Sequence, residues 1–206
     1  MTKVMEKYSS YKDSGVKWLG EIPSHWEVVP TKSCLESSTS GIWGNDPIND
    51  GSDIICLRVA DFNYEKGVVR KDKLTYRNYS KDLSNDKVLK DGDLLLEKSG
   101  GGDLFPVGRV VRFDNCLPTA TCSNFIQILN VCSSFIYYSF YVKYTRKVNG
   151  LFFNQTTGIQ NLKVKEYLNS PIALPPLSEQ NAIASYLDST TTQNNVAKEH
   201  QKKMIE

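Results

Sequence analysis

Pro171-Ile-Ala-Leu-Pro-Pro-Leu-Ser-Glu-Gln180 divides the chain into two unlike parts. Residues that precede proline avoid the helical region, so the first six residues of this stretch are predicted to be extended. Ser178 is a favoured helix N-cap, and Glu179 suits the positive end of a helix dipole. The sequence therefore predicts a globular domain over residues 1–176 and a helix over residues 177–206.

The predicted helix carries a heptad seam, in which successive positions are alternately four and three residues apart. The seam consists of Ile183, Leu187, Thr190, Asn194, Ala197, Gln201 and Met204. It is apolar at both ends and polar in the middle, so the helix is expected to need a partner to be stable. We take Ile183, Leu187, Thr190, Asn194, Ala197 and Met204 as its pairing residues. Because the pattern still runs at Glu206, we expect the chain to be a fragment or an incomplete product.

The globular part alternates short apolar runs with turn-forming residues. The runs with strand length are Glu27–Pro30, Ile54–Ala60, the part of Val88–Glu97 that follows a turn at Asp91-Gly92, Val107–Arg112 and Asn124–Leu129. Residues 134–147 form the best predicted helix, and residues 149–160 are predicted to be a polar loop. These elements indicate an α/β fold of the α+β type. Its twisted mixed sheet and short helices would be followed by a long C-terminal helix of the coiled-coil type.

Between Asn115 and Lys165 the chain has no Asp or Glu but five Lys and Arg residues, within a protein whose net charge is only +2. A continuous segment that lacks carboxylates and keeps cations suits a surface that lies against phosphates. A buried, aromatic-rich region would also lack carboxylates. That alternative accounts for Phe135–Tyr144 better than for Lys143–Gln160.

Candidate DNA contacts follow from side-chain chemistry, because phosphate contacts position a protein and base contacts discriminate sequence. For positioning we select Lys98, Arg146, Lys147, Lys163 and Lys165. Amides and guanidinium groups can read base edges, which selects Arg109, Arg112, Asn154, Gln155 and Gln160. An exposed strand face explains Arg109 and Arg112 equally well. The candidate surface also includes Ser99, Gly100, Thr156 and Thr157.

The sequence contains no recognisable pattern of catalytic residues. Ser99-Gly-Gly-Gly102 lacks the Lys and Ser/Thr of a P-loop, so it is better explained as a tight loop that lets another backbone approach. His25 and His200 lie far from any triad pattern, and Asn45-Asp-Pro-Ile48 only faintly resembles an amino-methyltransferase motif. We therefore predict a non-catalytic protein that binds no cofactor of its own.

Composition limits the cellular location and the cysteine chemistry of the protein. No run of about 18 apolar residues exists, so a membrane span is excluded from the sequence. The polar N-terminus has no apolar signal core, which favours a cytoplasmic location. The five cysteines are scattered without a Cys-x-x-Cys pair, so we expect reduced, mostly buried thiols and no metal site.

Two segments resemble one family. Asp13-Ser-Gly-Val-Lys-Trp-Leu-Gly-Glu-Ile-Pro-Ser-His-Trp26 is similar to the N-terminal signature of type I restriction–modification specificity subunits. Gly158-Ile-Gln-Asn-Leu162, the stretch from Pro171 to Gln180, and Ile183-Ala-Ser-Tyr-Leu-Asp188 resemble the segment that joins their recognition domain to a spacer helix. Leu57–Asp61 and Asp91–Leu96 extend the resemblance over nearly the whole chain.

The resemblance implies one target recognition domain and the start of one spacer helix. Such subunits read duplex DNA and contain no catalytic residues. Methyltransferase subunits that use S-adenosylmethionine, and a restriction subunit that moves and cuts DNA, assemble on them. Since a second recognition domain is missing from this sequence, two copies could pair through the helix as a homodimer.

A different function would be a single-stranded nucleic-acid module without restriction partners. Tyr137, Tyr138, Tyr141 and Tyr144 would then form a platform on which bases stack. Their helical spacing favours a place in the core over such a platform.

Overall fold

The computed structural model describes residues 7–79, 83–114, 117–156 and 158–205. Its strands are β1 Tyr11–Asp13, β2 Glu21–Pro23, β3 Glu27–Pro30, β4 Leu35–Ser40, β5 Ile54–Leu57, β6 Phe62–Asn63, β7 Val68–Val69, β8 Tyr76–Arg77, β9 Leu94–Glu97, β10 Ser99–Gly100, β11 Val110–Arg112, β12 Ala120–Cys122, β13 Ile126–Val131, β14 Phe153–Thr156, β15 Ile159–Leu162 and β16 Pro171–Leu174. Its helices are α1 Phe135–Thr145, α2 Val164–Asn169 and α3 Leu177–Ile205. Short 3-10 helices cover Thr31–Cys34, Val59–Asp61, Asn85–Lys87 and Val148–Leu151.

A six-stranded mixed sheet in the order β4-β13-β9-β11-β7-β6 is the centre of the fold. Its pairs are antiparallel except β11 with β7, which is parallel. A second sheet, β12-β5-β8, contains another parallel pair, β12 with β5. The predicted twisted mixed sheet with few helices is therefore confirmed.

Strand β9 shows why the sheet is central. Successive side chains of a strand point to opposite faces, and here both faces are covered. Leu94 and Leu96 enter one hydrophobic core, whereas Leu95 enters another, and all three are fully buried. A continuous apolar run rather than an alternating one is the sequence pattern that such a strand requires.

The two cores lie on opposite sides of this sheet. The first packs α1, α2, β16 and the start of α3 together, with Phe140, Tyr167, Ile172 and Ala184 buried in it. The second packs β5, β12 and the loops around them, with Ile55, Phe113 and Cys122 among its members. Three free thiols, those of Cys34, Cys56 and Cys122, are buried, as the sequence predicts. Cys132 is exposed, and Cys116 lies outside the described residues.

The last helix is tied to the N-terminal segment. Strand β3 pairs antiparallel with β16, and the chain then turns at Pro175-Pro176 into α3. The carbonyl of Pro176 accepts the first helical hydrogen bonds, from the amides of Glu179 and Gln180, each at 2.9 Å. Ser178 therefore lies in the first turn, and its predicted role as N-cap is wrong because the helix begins at Leu177.

Glu179 is the principal contact between these two segments. Its carboxylate accepts hydrogen bonds from the Trp26 indole, at 3.1 Å, and from the Tyr8 hydroxyl, and it lies 2.9 Å from Nε2 of His25. Burial alone would raise the pKa of Glu179, but these hydrogen bonds outweigh it and lower the pKa. The first turn of α3 is thereby fixed against the globular part.

Candidate nucleic-acid interface

Strands β14 and β15 form a β-hairpin, so the predicted polar loop over residues 149–160 is wrong. After the 3-10 helix Val148–Leu151, β14 pairs with β15, and Gly158 in the turn adopts a φ of +84°. A side chain is strained at that φ, which explains glycine at this position. Because most of the side chains of β14 are exposed, the apolar pattern that identifies a strand is weak here.

Strand β10 adds to this hairpin and makes a three-stranded sheet, β10-β15-β14. Ser99 is opposite Asn161, and Asn161 is opposite Asn154. Residues in register on neighbouring strands share one face, so these three polar side chains form a line across the sheet. The Ser99 hydroxyl donates to Oδ1 of Asn161 at 2.7 Å, and both asparagines are exposed. We call Ser99, Asn154 and Asn161 the polar row.

The other face of this small sheet points toward the protein. Gln160 is only 2% exposed, and its Oε1 accepts a hydrogen bond from the Val107 amide at 3.1 Å. Its amide nitrogen donates to Oε1 of Gln155 at 3.3 Å. Gln160 is therefore held inside and does not suit the predicted role of a base reader. Gly100 and Gln155 lie opposite Gln160 on the two neighbouring strands, and Gln155 is exposed.

Lysines line a cleft whose wall includes Lys98 and Leu162, the chain neighbours of Ser99 and Asn161. Lys32 and Lys165 are exposed and line this cleft together with Lys98. Burial lowers the pKa of Lys98, whose ammonium donates to Oγ of Ser40 at 2.5 Å and to Oε1 of Gln127 at 3.3 Å. We call Lys32, Lys98 and Lys165 the lysine cleft.

Lys163 follows the hairpin directly and is also exposed, with its ammonium 3.9 Å from the carboxylate of Glu166. An ion pair of this length at the surface leaves the lysine available to other anions. Lys163 and Lys165 flank the start of α2, so both lie in the same part of the chain as the polar row.

Arg109 is engaged within the protein. Its Nε and Nη2 atoms donate to the two oxygens of Glu97, at 2.8 and 3.2 Å, and Glu97 is fully buried. The guanidinium also stacks on the ring of Tyr64, 3.7 Å from its centroid. A buried carboxylate requires such a partner, so the geometry explains Arg109 as a structural cation rather than a base reader.

Arg112 joins the central sheet to the last helix. Its Nη1 donates to Oδ1 of Asp188 at 2.5 Å, and the hydroxyl of Tyr138 donates to the same oxygen at 2.6 Å. The guanidinium lies 4.5 Å from the centroid of the Tyr137 ring. Both predicted explanations for Arg112, base reading and an exposed strand face, miss this link to α3.

Two of the cations selected from sequence follow the end of α1. Arg146 and Lys147 are exposed after the end of the helix, and the guanidinium of Arg146 donates to the carbonyl of Trp18 in the N-terminal segment. Lys143 is 2% exposed, so it cannot contact phosphate. The acid-free segment therefore presents four exposed cations rather than five, namely Arg146, Lys147, Lys163 and Lys165.

The proposed helix-pairing residues divide between the protein's own core and solvent. Ile183 packs against the first core, and Leu187 lines a groove with Trp18. Thr190 is half-buried, and Asn194 and Ala197 are exposed. The side chain of Met204 lies outside the described residues, as does Thr157 of the hairpin turn, and Thr156 is exposed beside it.

The aromatic platform of a single-stranded binder is not formed. Tyr137 is buried, Tyr138 binds Asp188, and the hydroxyl of Tyr144 donates to the carbonyl of Pro106 at 3.2 Å. Tyr141 alone of the four is largely exposed, at 56%. Tyr137 belongs to the first core and Tyr138 packs against it, so the expectation of a place in the core holds for these two.

One residue of the polar row and one of the lysine cleft were not predicted from the sequence. Asn161 lies within the Gly158–Leu162 segment, but its partners became visible only when the strand pairing was known. Lys32 is distant in sequence from the hairpin, and no local signal connects them. Within the described ranges no cluster of three His, Cys, Asp or Glu side chains could hold a metal ion, and no helix has the length and apolar character to cross a membrane.

Comparison with protein families now adds to this geometry. A family model described as "Type I restriction modification DNA specificity domain" matches residues 23–206, which is most of the chain. The chain belongs to this family. No match is found among curated proteins.

Three solved structures share the fold of this specificity domain. One belongs to a study of complex assembly and conformational transition of the type I restriction–modification system, with 20% identity and a TM-score of 0.60, covering 94% of this chain and 44% of that one. The HsdS subunit from Thermoanaerobacter tengcongensis has 19% identity and a TM-score of 0.55, with 93% and 42% covered. The S subunit from M. genitalium has 18% identity and a TM-score of 0.50, with 84% and 41% covered. This chain thus spans less than half the length of these proteins.

Proposed function

We propose that this specificity domain recognises one half of a split DNA site in the duplex, as one target recognition domain of a type I restriction–modification enzyme. Membership of the family over residues 23–206 carries the proposal. The polar row and the lysine cleft support it, because amide side chains can read base edges while lysines neutralise phosphates. A two-stranded β-ribbon such as β14–β15 also fits the major groove of B-DNA.

The domain directs the chemistry of other subunits and performs none itself. Methyltransferase subunits that use S-adenosylmethionine dock on it and methylate adenine, and a restriction subunit joins them to cut unmodified DNA, in the cytoplasm. Helix α3 is the spacer, and pairing of its outer residues, among them Asn194 and Ala197, with a second copy would join two recognition domains as a homodimer. Ile183 packs inward, so it fixes the spacer to the domain.

Enrichment of duplexes from a randomised library should yield one half-site sequence for the full chain.

Replacing Lys32, Lys163 and Lys165 together by glutamine should weaken binding to every duplex alike. The slope of log affinity against log salt should fall by about 3, because each phosphate contact releases roughly 0.9 counterions. Fluorescence anisotropy between low and moderate salt measures both quantities.

Three exposed lysines elsewhere provide a control with the same loss of charge: Lys12, Lys17 and Lys90, each replaced by glutamine. This variant should keep most of the slope, since none of its three lysines lines the lysine cleft. Equal losses in the two variants would show that net charge alone governs binding, and an absence of any enriched duplex would refute the proposed function.

Base reading is expected from Asn154 and Asn161. Replacing either by alanine should weaken binding to the enriched half-site by about 1–3 kcal/mol and relax the preference at one base pair. Repeating the enrichment with each variant identifies that base pair. Asn181→Ala, at an exposed position of α3, is the matched control and should leave the preference intact. An unchanged preference in both hairpin variants would exclude the polar row from base recognition.

A further inference from the structure

Two large apolar side chains project from one turn next to the polar row. Leu104 is 87% exposed and Phe105 is 62% exposed. Single exposed apolar residues are common on protein surfaces, but two adjacent ones at the tip of a turn are a concentrated apolar feature. We call Leu104 and Phe105 the apolar tip.

A hydrogen bond and a glycine fix the conformation of the turn that carries the apolar tip. The amide of Gly102 donates to the carbonyl of Phe105 at 3.0 Å, which closes the turn. Gly101 has a φ of +60°, and a Cβ there would lie 2.7 Å from the amide nitrogen of Val107, so only glycine fits.

Buried side chains fix the C-terminal end of this turn. The Val107 amide donates to Gln160 at 3.1 Å, and the Val107 carbonyl accepts from Nδ2 of Asn149 at 2.7 Å. The carbonyl of Pro106 accepts from the hydroxyl of Tyr144 at 3.2 Å. The tip is therefore presented to solvent in an ordered form, which reduces the entropy lost when it binds a partner.

The tip lies within reach of the DNA that the polar row would contact. Leu104 is five residues after Ser99, so the two Cα atoms are at most about 18 Å apart even in an extended chain. The charged side chains that line the hollow beneath the tip are two cations and two acids, Arg70, Arg109, Glu97 and Asp103.

The size of the tip also favours DNA over a protein partner. A Phe side chain buries about 150–250 Å², so the two side chains together offer well under the roughly 800 Å² that each partner contributes to a stable protein interface. A base-pair step, by contrast, accommodates one or two apolar side chains. Phe and Leu are among the residues that proteins insert between base pairs.

We propose that Leu104 and Phe105 insert as a wedge between two base pairs close to the bases met by the polar row. This inference rests on the proposed function. The wedge unstacks one step and kinks the duplex, so it selects for sequences that deform easily, such as pyrimidine–purine steps. It adds a specificity determinant that makes no hydrogen bond to a base.

The test uses the enriched duplex with 2-aminopurine placed at successive positions, because its fluorescence rises when it is unstacked. The full chain should raise the fluorescence at one step only. Leu104→Ser with Phe105→Ser should abolish that rise and weaken binding by at least about fivefold, the loss of one stacking contact. Phe105→Leu keeps an apolar wedge and should retain much of the rise.

Leu177→Ser removes a leucine that is also exposed, at 59%, and is the matched control. Circular dichroism checks that each variant is folded. If the lysine variant loses salt-dependent binding while no position reports unstacking, the wedge is wrong and the proposed function stands. Loss of methyltransferase-subunit binding in the serine variant, with DNA binding unchanged, would also overturn the wedge. If no duplex is enriched, the proposed function and the wedge fail together.

Discussion

The Arg109→Ala variant is expected to unfold with a free energy about 3–5 kcal/mol below that of the parent chain. Arg109 donates two hydrogen bonds to Glu97, which is fully buried in strand β9. Without the guanidinium, the carboxylate must either remain charged in a buried site or take up a proton. Urea unfolding at neutral pH, followed by circular dichroism, measures the difference.

Lys71→Ala is the control for a surface ion pair. The ammonium of Lys71 lies 3.3 Å from Asp114, and both side chains are well exposed, so this variant should lose no more than about 1 kcal/mol. A double variant, Glu97→Gln with Arg109→Met, should be more stable than Arg109→Ala because no uncompensated charge remains. If Arg109→Ala proved as stable as the parent, Arg109 would be free to serve as the base reader predicted from sequence.

The elements that could be predicted are those whose pattern is local. The apolar run of β9 and the spacing of Ile136 and Phe140 in α1 each lie within one segment, and both elements are present. The change from an extended stretch to a helical pattern after Pro176 likewise predicted the start of the last helix to within one residue. Periodicity and prolines act over a few residues, so these elements follow from sequence.

The parts that could not be predicted depend on distant partners. Arg109 and Arg112 have the same chemistry three residues apart, but Glu97 and Asp188 determine what each one does. Asp188 is 76 positions from Arg112, and nothing in the sequence pairs them. The hairpin was missed for a related reason, since a small polar sheet with one exposed face has little apolar alternation.

The spacing of Lys143 along α1 predicts that it is buried, but its charge favoured the interpretation as a surface cation. It follows Ile136 by seven residues and Phe140 by three, which places it on the buried stripe of α1. Its ammonium donates to the hydroxyl of Thr31 and to the carbonyl and hydroxyl of Ser170, the last at 2.7 Å. A lysine counted toward a phosphate surface is thus a buried link between α1 and the segments around β3 and β16.

Burial of Lys143 is expected to make the stability depend on pH near neutrality. Desolvation lowers its pKa to about 7 in the folded protein. The unfolded chain, with a lysine pKa of about 10.4, binds more protons between these values, so the free energy of unfolding rises with pH in that window. From pH 7 to 8.5 the gain from this group should be about 1.5 kcal/mol.

Lys143→Met isolates this effect, since methionine has similar length and no charge. Urea unfolding of both proteins at intervals between pH 7 and 8.5 gives the difference in unfolding free energy. As the pH rises, the parent chain should gain unfolding free energy relative to the Lys143→Met variant. Burial raises the pKa of the neighbouring Cys34 thiol, which acts in the opposite direction above pH 8, but it is present in both proteins and largely cancels. A difference that is constant over the range would mean that Lys143 keeps its proton in the core and that the surrounding oxygens of Thr31 and Ser170 solvate the cation.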